Sequence, residues 1–106
     1  MTEPATTAPP AGKFAASDDG VRWSFTGALT MDVAAKSLAE SEALPLPSSG
    51  AVDFSGLSQA DSAALAVMIA LRRRAAAEGR SLTFASLPDS LTSLAVVYGI
   101  EALVAA

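Results

Sequence analysis

The sequence of 106 residues contains no cysteine and no histidine. These absences exclude disulfide bonds, thiolate nucleophiles, zinc-finger sites and imidazole acid–base chemistry, so any catalysis would fall to carboxylates, hydroxyls and amines. We therefore expect a non-enzymatic protein with no catalytic residue and no cofactor. Hydrophobic residues form 51% of the chain and charged residues only 17%, while a domain this small buries roughly 60–70% of its unfolded surface. Part of the apolar surface is accordingly expected to face a partner.

Basic residues and long apolar runs are also scarce. Seven Lys and Arg stand against eleven Asp and Glu, for a net charge of −4, which argues against a nucleic acid partner because phosphate binding depends on basic side chains. The longest fully apolar run, residues 63–71, is shorter than the roughly 20 residues of a membrane span. Residues 1–4 lack the basic and apolar segments of a secretory signal. We expect a cytoplasmic protein with no membrane span of its own.

The chain divides into a tail and one small domain. Residues 1–12 are rich in Thr, Ala and Pro and predict a disordered tail, which leaves residues 13–106 as the domain. Alternation of apolar and polar residues around Asp18-Asp19-Gly20 predicts a hairpin in which Val21, Trp23 and Phe25 share a buried face. The predicted elements are strands at 13–17, 21–26, 51–54 and 81–85, and helices at 30–43, 62–78 and 88–98.

This order, β-β-α-β-α-β-α, predicts an α/β fold. Strands that alternate with helices are joined by right-handed crossovers, so at least two strands are expected to be parallel in a small mixed sheet with helices packed on it. Thr30 is expected to cap the first helix with its side chain. Residues 57–60 are expected to link the third strand to the long helix.

The long helix carries two apolar faces. Its sheet-facing side is predicted to hold Ala64, Leu65, Met68, Leu71 and Ala75. The opposite arc holds Ser62, Ala66, Ile69 and Arg73, flanked by Ala63, Val67 and Ala70. One explanation is that alanine fills exposed positions because it has the best helix propensity. The explanation we favour is a protein-binding face, because propensity does not account for an outward Ile69 beside Val67.

The residues at the start of this helix have a structural and a functional interpretation. Asp61 or Ser62 can cap the helix, which is worth about 1 kcal/mol, and both also lie where a partner can reach them. The predicted partner-binding residues are Asp61, Ser62, Ala63, Ala66, Ile69 and Arg73. Asp53 and Asp61 lack an evident third ligand, so no metal site is predicted. Arg72, Arg73 and Arg74 are expected to point in three directions, with Arg73 alone on the Ser62 side.

Residues 52–65, Val-Asp-Phe-Ser-Gly-Leu-Ser-Gln-Ala-Asp-Ser-Ala-Ala-Leu, resemble the core signature of STAS domains, the sulfate-transporter and anti-sigma-factor-antagonist family. In that signature a strand ending in Asp-Leu-Ser leads through a loop to Asp-Ser or Asp-Thr at a helix start. The resemblance extends from Lys13 to the last residue. Residues 91–100, with the pattern Leu-x-x-Leu-Ala-x-x-Tyr-Gly-Ile, are similar to MlaB-like members. The chain differs from the family pattern at Ala28, Thr30 and Ala64.

The resemblance implies two alternative functions. MlaB-like proteins are cytoplasmic accessory subunits of a phospholipid ABC transporter, where they bind the ATPase subunit (MlaF-like) of a complex with a permease and so lie at the inner membrane. Anti-sigma-factor antagonists instead carry a phosphorylatable Ser at the position of Ser62 and bind an anti-sigma kinase. We expect the transporter subunit and keep the antagonist as the alternative. A small-ligand-binding domain is a third, weaker possibility.

Overall fold

The structure is a computed structural model that describes residues 12–100. Its elements are β1 (Lys13–Ala16), β2 (Arg22–Leu29), α1 (Met31–Ser41), β3 (Ala51–Ala60), α2 (Ser62–Ala77), β4 (Thr83–Ala85) and α3 (Asp89–Val97). The predicted order β-β-α-β-α-β-α and the α/β class are confirmed. The predicted tail, apart from Gly12, and the predicted domain's last residues, 101–106, lie outside the described residues.

The four strands form one mixed sheet in the order β1-β2-β3-β4. β1 and β2 are antiparallel, whereas β2 pairs with β3 and β3 with β4 in parallel, as the crossovers predict. Between β1 and β2, Asp19 Oδ1 accepts hydrogen bonds from the Ser17 hydroxyl (2.7 Å) and the Val21 N–H (3.1 Å). The prediction of a buried Val21 is wrong: this residue belongs to the turn and is 40% exposed.

One face of the sheet forms the core. Its buried side chains alternate along the strands and are covered by the helices; they are Phe14, Trp23, Phe25, Val52, Phe54 and Phe84. The strand register places Ala15, Ser24, Asp53 and Ala85 in one row on the other face, where all four are exposed or half-buried. All helix packing therefore takes place on the aromatic side.

The third strand is longer than predicted. Residues 57–60, expected as a link, continue β3 and pair with β2, which itself extends to Leu29. Two register shifts accommodate the pairing, and Gly56 permits a close approach, because a Cβ there would lie 2.8 Å from the carbonyl oxygen of Phe25. The longer strands carry the chain to the point where α1 and α2 begin.

Two details of the helices differ from prediction. Thr30 occupies the N-cap position of α1, but its side chain makes no capping hydrogen bond. Val67, expected on the outward flank of α2, is buried with 3% exposure, because its direction on the helix turns it toward the packed side.

Gly79 follows α2 with a φ of 70°, which suits the residue after a helix. Among residues 12–100, no helix is long and apolar enough to cross a membrane.

Candidate functional site

The starts of α1 and α2 meet at one carboxylate. Asp61 Oδ1 accepts a hydrogen bond from the Ala63 N–H at 2.8 Å, and Asp61 Oδ2 accepts one from the Met31 N–H at 3.0 Å. A negative charge is favourable at both positions because the N-terminus of a helix carries partial positive charge. Asp61 thus caps α2 and holds the first residue of α1, 30 positions earlier in the chain.

Ser62 is the first residue of α2 and is half-buried. The expectation that Asp61 or Ser62 caps this helix is met by Asp61, whose side chain makes the capping bond. The hydroxyl of Ser62 is therefore not needed for the cap. It lies at the N-terminal end of the outward side of α2.

The outward side of α2 is a line of residues that we call the outer stripe: Ser62, Ala66, Ile69 and Arg73. These residues lie within about 60° of one another around the helix axis. Ala66 and Arg73 are exposed, and Ser62 and Ile69 are half-buried. Ala63, also half-buried, lies on the flank of the stripe. The predicted sheet-facing side is confirmed, since all five of its residues are buried: Ala64, Leu65, Met68, Leu71 and Ala75.

Met31 was missed by the sequence analysis. It is the first residue of α1, its backbone is bonded to Asp61, and its side chain is 73% exposed. An apolar side chain directly after a predicted cap was the available signal, but its closeness to α2 depends on the parallel pairing of β2 with β3. Met31 adds an exposed apolar side chain next to the N-terminal end of the outer stripe.

A depression lies toward the other end of the outer stripe. It has a volume of about 340 Å³ and is lined by Ile69, Arg72, Arg73 and Ala76. Arg72 and Arg73 both contribute to this lining, whereas Arg74 turns away from it to the carbonyl oxygens of Ser41 and Leu44. The guanidinium carbon of Arg72 lies 6.0 Å from the centroid of the Phe84 ring.

Arg74 has a structural role. Its guanidinium donates hydrogen bonds to the carbonyl oxygens of Ser41 (3.0 Å) and Leu44 (2.7 Å), and its guanidinium carbon lies 5.8 Å from the centroid of the Trp23 ring. It also pairs with Glu78 at 3.3 Å. Arg74 thus ties α2 to the last residue of α1 and to the segment that follows it, and is separate from the outer stripe.

The carboxylates do not form an acid–base pair. Asp53 lies near the start of β3 and Asp61 just after its end, which corresponds to roughly 25 Å along an extended strand. The pKa of Asp53 is lowered, chiefly by the hydrogen bond that the Ser55 hydroxyl donates to it, so this carboxyl favours its ionised form and is a poor general acid. No group of three or more metal-binding side chains occurs within the described part of the chain.

A second apolar surface lies at the end of α3. Val96, Val97 and Tyr98 are 56%, 77% and 57% exposed. Tyr98 is thus largely outside the core, whereas Trp23 is fully buried. These three consecutive apolar residues do not belong to the outer stripe.

Comparison with known proteins identifies one family. The family described as "Mlab, STAS domain" matches residues 13–105 of the chain. This match covers most of the sequence and includes every strand and helix described above. No curated protein matches the chain. The small mixed sheet with three helices is consistent with the STAS fold.

Proposed function

The chain belongs to the STAS domain family in its MlaB-type form, and from this membership we propose that it is a non-enzymatic accessory subunit of an ABC transporter for phospholipids. It binds the transporter's ATPase subunit through the start and the outer stripe of α2. The chain is then cytoplasmic and reaches the inner membrane through the transporter complex. Its contribution to lipid asymmetry of the outer membrane is indirect, through the activity of the ATPase.

The observation that carries this proposal is the chemistry of the outer stripe. Ala66 is small and exposed, and Ile69 is apolar and half-buried, where an exposed helix face would normally be polar. Small side chains allow another backbone to approach closely, and Met31, whose N–H is bonded to Asp61, exposes an apolar side chain near the helix start. A partner that covers this surface would remove apolar area from water, which favours association.

The proposed role is binding rather than catalysis. The chain offers no histidine or cysteine, and the pKa of Asp53 is lowered rather than raised. Binding one arrangement of an ATPase dimer more tightly than another shifts the equilibrium between them, and a coupling of about 1–3 kcal/mol changes affinity or population roughly 5- to 150-fold. We infer that the chain acts by such differential binding.

Co-purification with the ATPase subunit tests the proposal. The ATPase of a phospholipid ABC transporter from the same organism is co-expressed with the full chain, and the complex is isolated through a tag on the ATPase. We expect wild-type chain to co-purify and Ile69→Asp to be lost, because the substitution places a charge in an apolar interface. Val21→Asp is the matched control, since it makes the same kind of change at a partly exposed apolar residue of the hairpin turn.

Two outcomes would contradict the proposal. One is wild-type chain that fails to bind the ATPase. The other is a folded Ile69→Asp variant that binds as tightly as wild type. Circular dichroism of each variant shows whether it is folded.

The anti-sigma-factor antagonist is the second candidate function, favoured by the position of Ser62. Because Asp61 supplies the cap, the Ser62 hydroxyl is not required for the fold, and a phosphate there would add about −1.5 to −2 charges to the outer stripe. Intact mass of the protein purified from its native host detects this modification. A phosphorylated form, together with capture of an anti-sigma kinase and no ATPase, would favour the antagonist over the transporter subunit.

A further inference from the structure

We propose that the depression lined by Ile69, Arg72, Arg73 and Ala76 receives an acidic residue of the ATPase partner, next to an aliphatic side chain that packs on Ile69 and Ala76. The inference rests on the proposed function and specifies the chemistry of the partner segment that occupies this end of the outer stripe.

The depression offers the positive charge of Arg73 to a partner. Arg73 is exposed, and within residues 12–100 it makes no hydrogen bond or ion pair. The acidic residue that follows it most closely in sequence, Glu78, pairs with Arg74 instead. Arg72 also lines the depression but is engaged elsewhere, with its guanidinium carbon 6.0 Å from the centroid of the Phe84 ring, so Arg73 supplies the charge that a partner can reach. This local positive charge contrasts with the net charge of −4 of the whole chain.

Beside this charge, the depression has an apolar floor formed by Ile69 and Ala76. Ile69 is half-buried, and Ala76 is exposed but too short to fill the space beside it. A guanidinium binds a carboxylate through two parallel hydrogen bonds, while Ile69 and Ala76 offer no polar group to a ligand. The lining therefore matches a carboxylate and an aliphatic group carried close together on one segment.

The geometry favours a protein segment over a small molecule or a membrane. All four lining residues belong to α2, so among residues 12–100 no second element closes over the depression, whereas small-molecule sites bury about 70–90% of their ligands. Recognition of anionic lipid surfaces typically uses clusters of about 4–8 basic residues, and two arginines line this depression. A folded partner that covers the outer stripe supplies the missing wall itself.

The test measures the affinity of the purified full chain for the purified ATPase subunit at low and high salt. Arg73→Glu is expected to weaken binding about tenfold or more at low salt and to reduce its salt sensitivity, because a reversed charge at an interface repels the partner's acid. Arg22→Glu, an equal charge change at an exposed position on β2, is the matched control and is expected to bind within about twofold of wild type. Changing the acidic residues of the ATPase to Lys, one at a time, is expected to yield one variant that restores binding to Arg73→Glu.

The binding results distinguish failure of this inference from failure of the proposed function. If wild type binds the ATPase, Ile69→Asp does not, and Arg73→Glu binds like wild type, the acidic-segment inference is overturned while the proposed function stands. If wild type does not bind the ATPase, both are overturned. Vesicles of phosphatidylglycerol provide the remaining arm: wild-type binding to them that is lost in Arg73→Glu, with ATPase binding unchanged, would reassign the depression to the membrane and overturn the inference. Ile69→Ala replaces Ile69→Asp if the latter does not fold.

Discussion

Replacing Asp61 with alanine removes a side chain that is bonded to the starts of both α1 and α2. The capping bond to the Ala63 N–H (2.8 Å) corresponds to about 1 kcal/mol. The bond to the Met31 N–H (3.0 Å) contributes about another 1 kcal/mol. We therefore expect Asp61→Ala to lower the free energy of unfolding by about 2 kcal/mol, which lowers the midpoint temperature by about 10 °C in a domain of this size.

Urea denaturation followed by tryptophan fluorescence measures this loss, because the single tryptophan, Trp23, is fully buried in the core. Thr30→Ala is the matched control: Thr30 is also at an N-cap position, yet its side chain makes no capping bond, so we expect a change within about 0.5 kcal/mol. Asp61→Asn keeps one acceptor oxygen but no charge, and it should lose about half as much stability as Asp61→Ala.

The stabilising role of Asp61 would be refuted if Asp61→Ala unfolded at the same urea concentration as wild type. It would also be refuted if Thr30→Ala were destabilised as much as Asp61→Ala, because the effect would then not depend on the side-chain bonds. Partner binding provides a second readout. Since Asp61 positions Met31 beside α2, Asp61→Ala should also weaken ATPase binding under conditions in which the variant remains folded.

Three further predictions concern stability. Gly50→Ala should be about 1 kcal/mol more destabilising than Gly79→Ala in urea denaturation, because both glycines have positive φ but only at Gly50 would a Cβ meet a backbone oxygen, at 2.7 Å. Ser55→Ala should destabilise the protein more at pH 7 than at pH 3. The pKa of Asp53 is lowered from 3.8 in the folded state, chiefly by the hydrogen bond from Ser55, so the stabilisation is complete above the unfolded pKa and is lost as the pH falls through the folded pKa. An equal loss at both pH values would contradict this assignment. Arg74→Ala should lower the free energy of unfolding by about 2 kcal/mol, because the carbonyls of Ser41 and Leu44 lose a charged donor, and a thermal melt that matches wild type would rule out the structural role.

Much of the fold was predictable because the signals that specify it are local. Alternating aromatic residues and an Asp-Gly turn identify the hairpin, and the apolar arc of α2 identifies its buried side, which is confirmed in all five predicted residues. The second half of β3 was not predictable in this way. Residues 55–60 contain Ser, Gly and Gln, which have no strong strand preference, and they are extended because they pair with the end of β2.

The candidate site was likewise predictable only where local helix geometry specifies it. The outer stripe follows from helix geometry, so its residues were identified from their spacing alone. Val67 was assigned to the outward flank although it lies only about 40° from Leu71 around the helix axis, and it proved to be buried with Leu71. The depression was missed because the directions of Cα–Cβ bonds do not reveal where a long arginine side chain ends.

The sequence by itself determined the fold class and the family, through an order of elements that requires parallel strands and a family signature around Asp61 and Ser62. Tertiary structure alone decided which distant residues meet. The pairing of β2 with β3 brings Met31 to the carboxylate of Asp61, and the packing of α2 against the sheet leaves Arg72 and Arg73 around one depression. Local patterns carry backbone preference and polarity over a few residues, whereas contacts between residues 30 positions apart depend on strand register and side-chain packing.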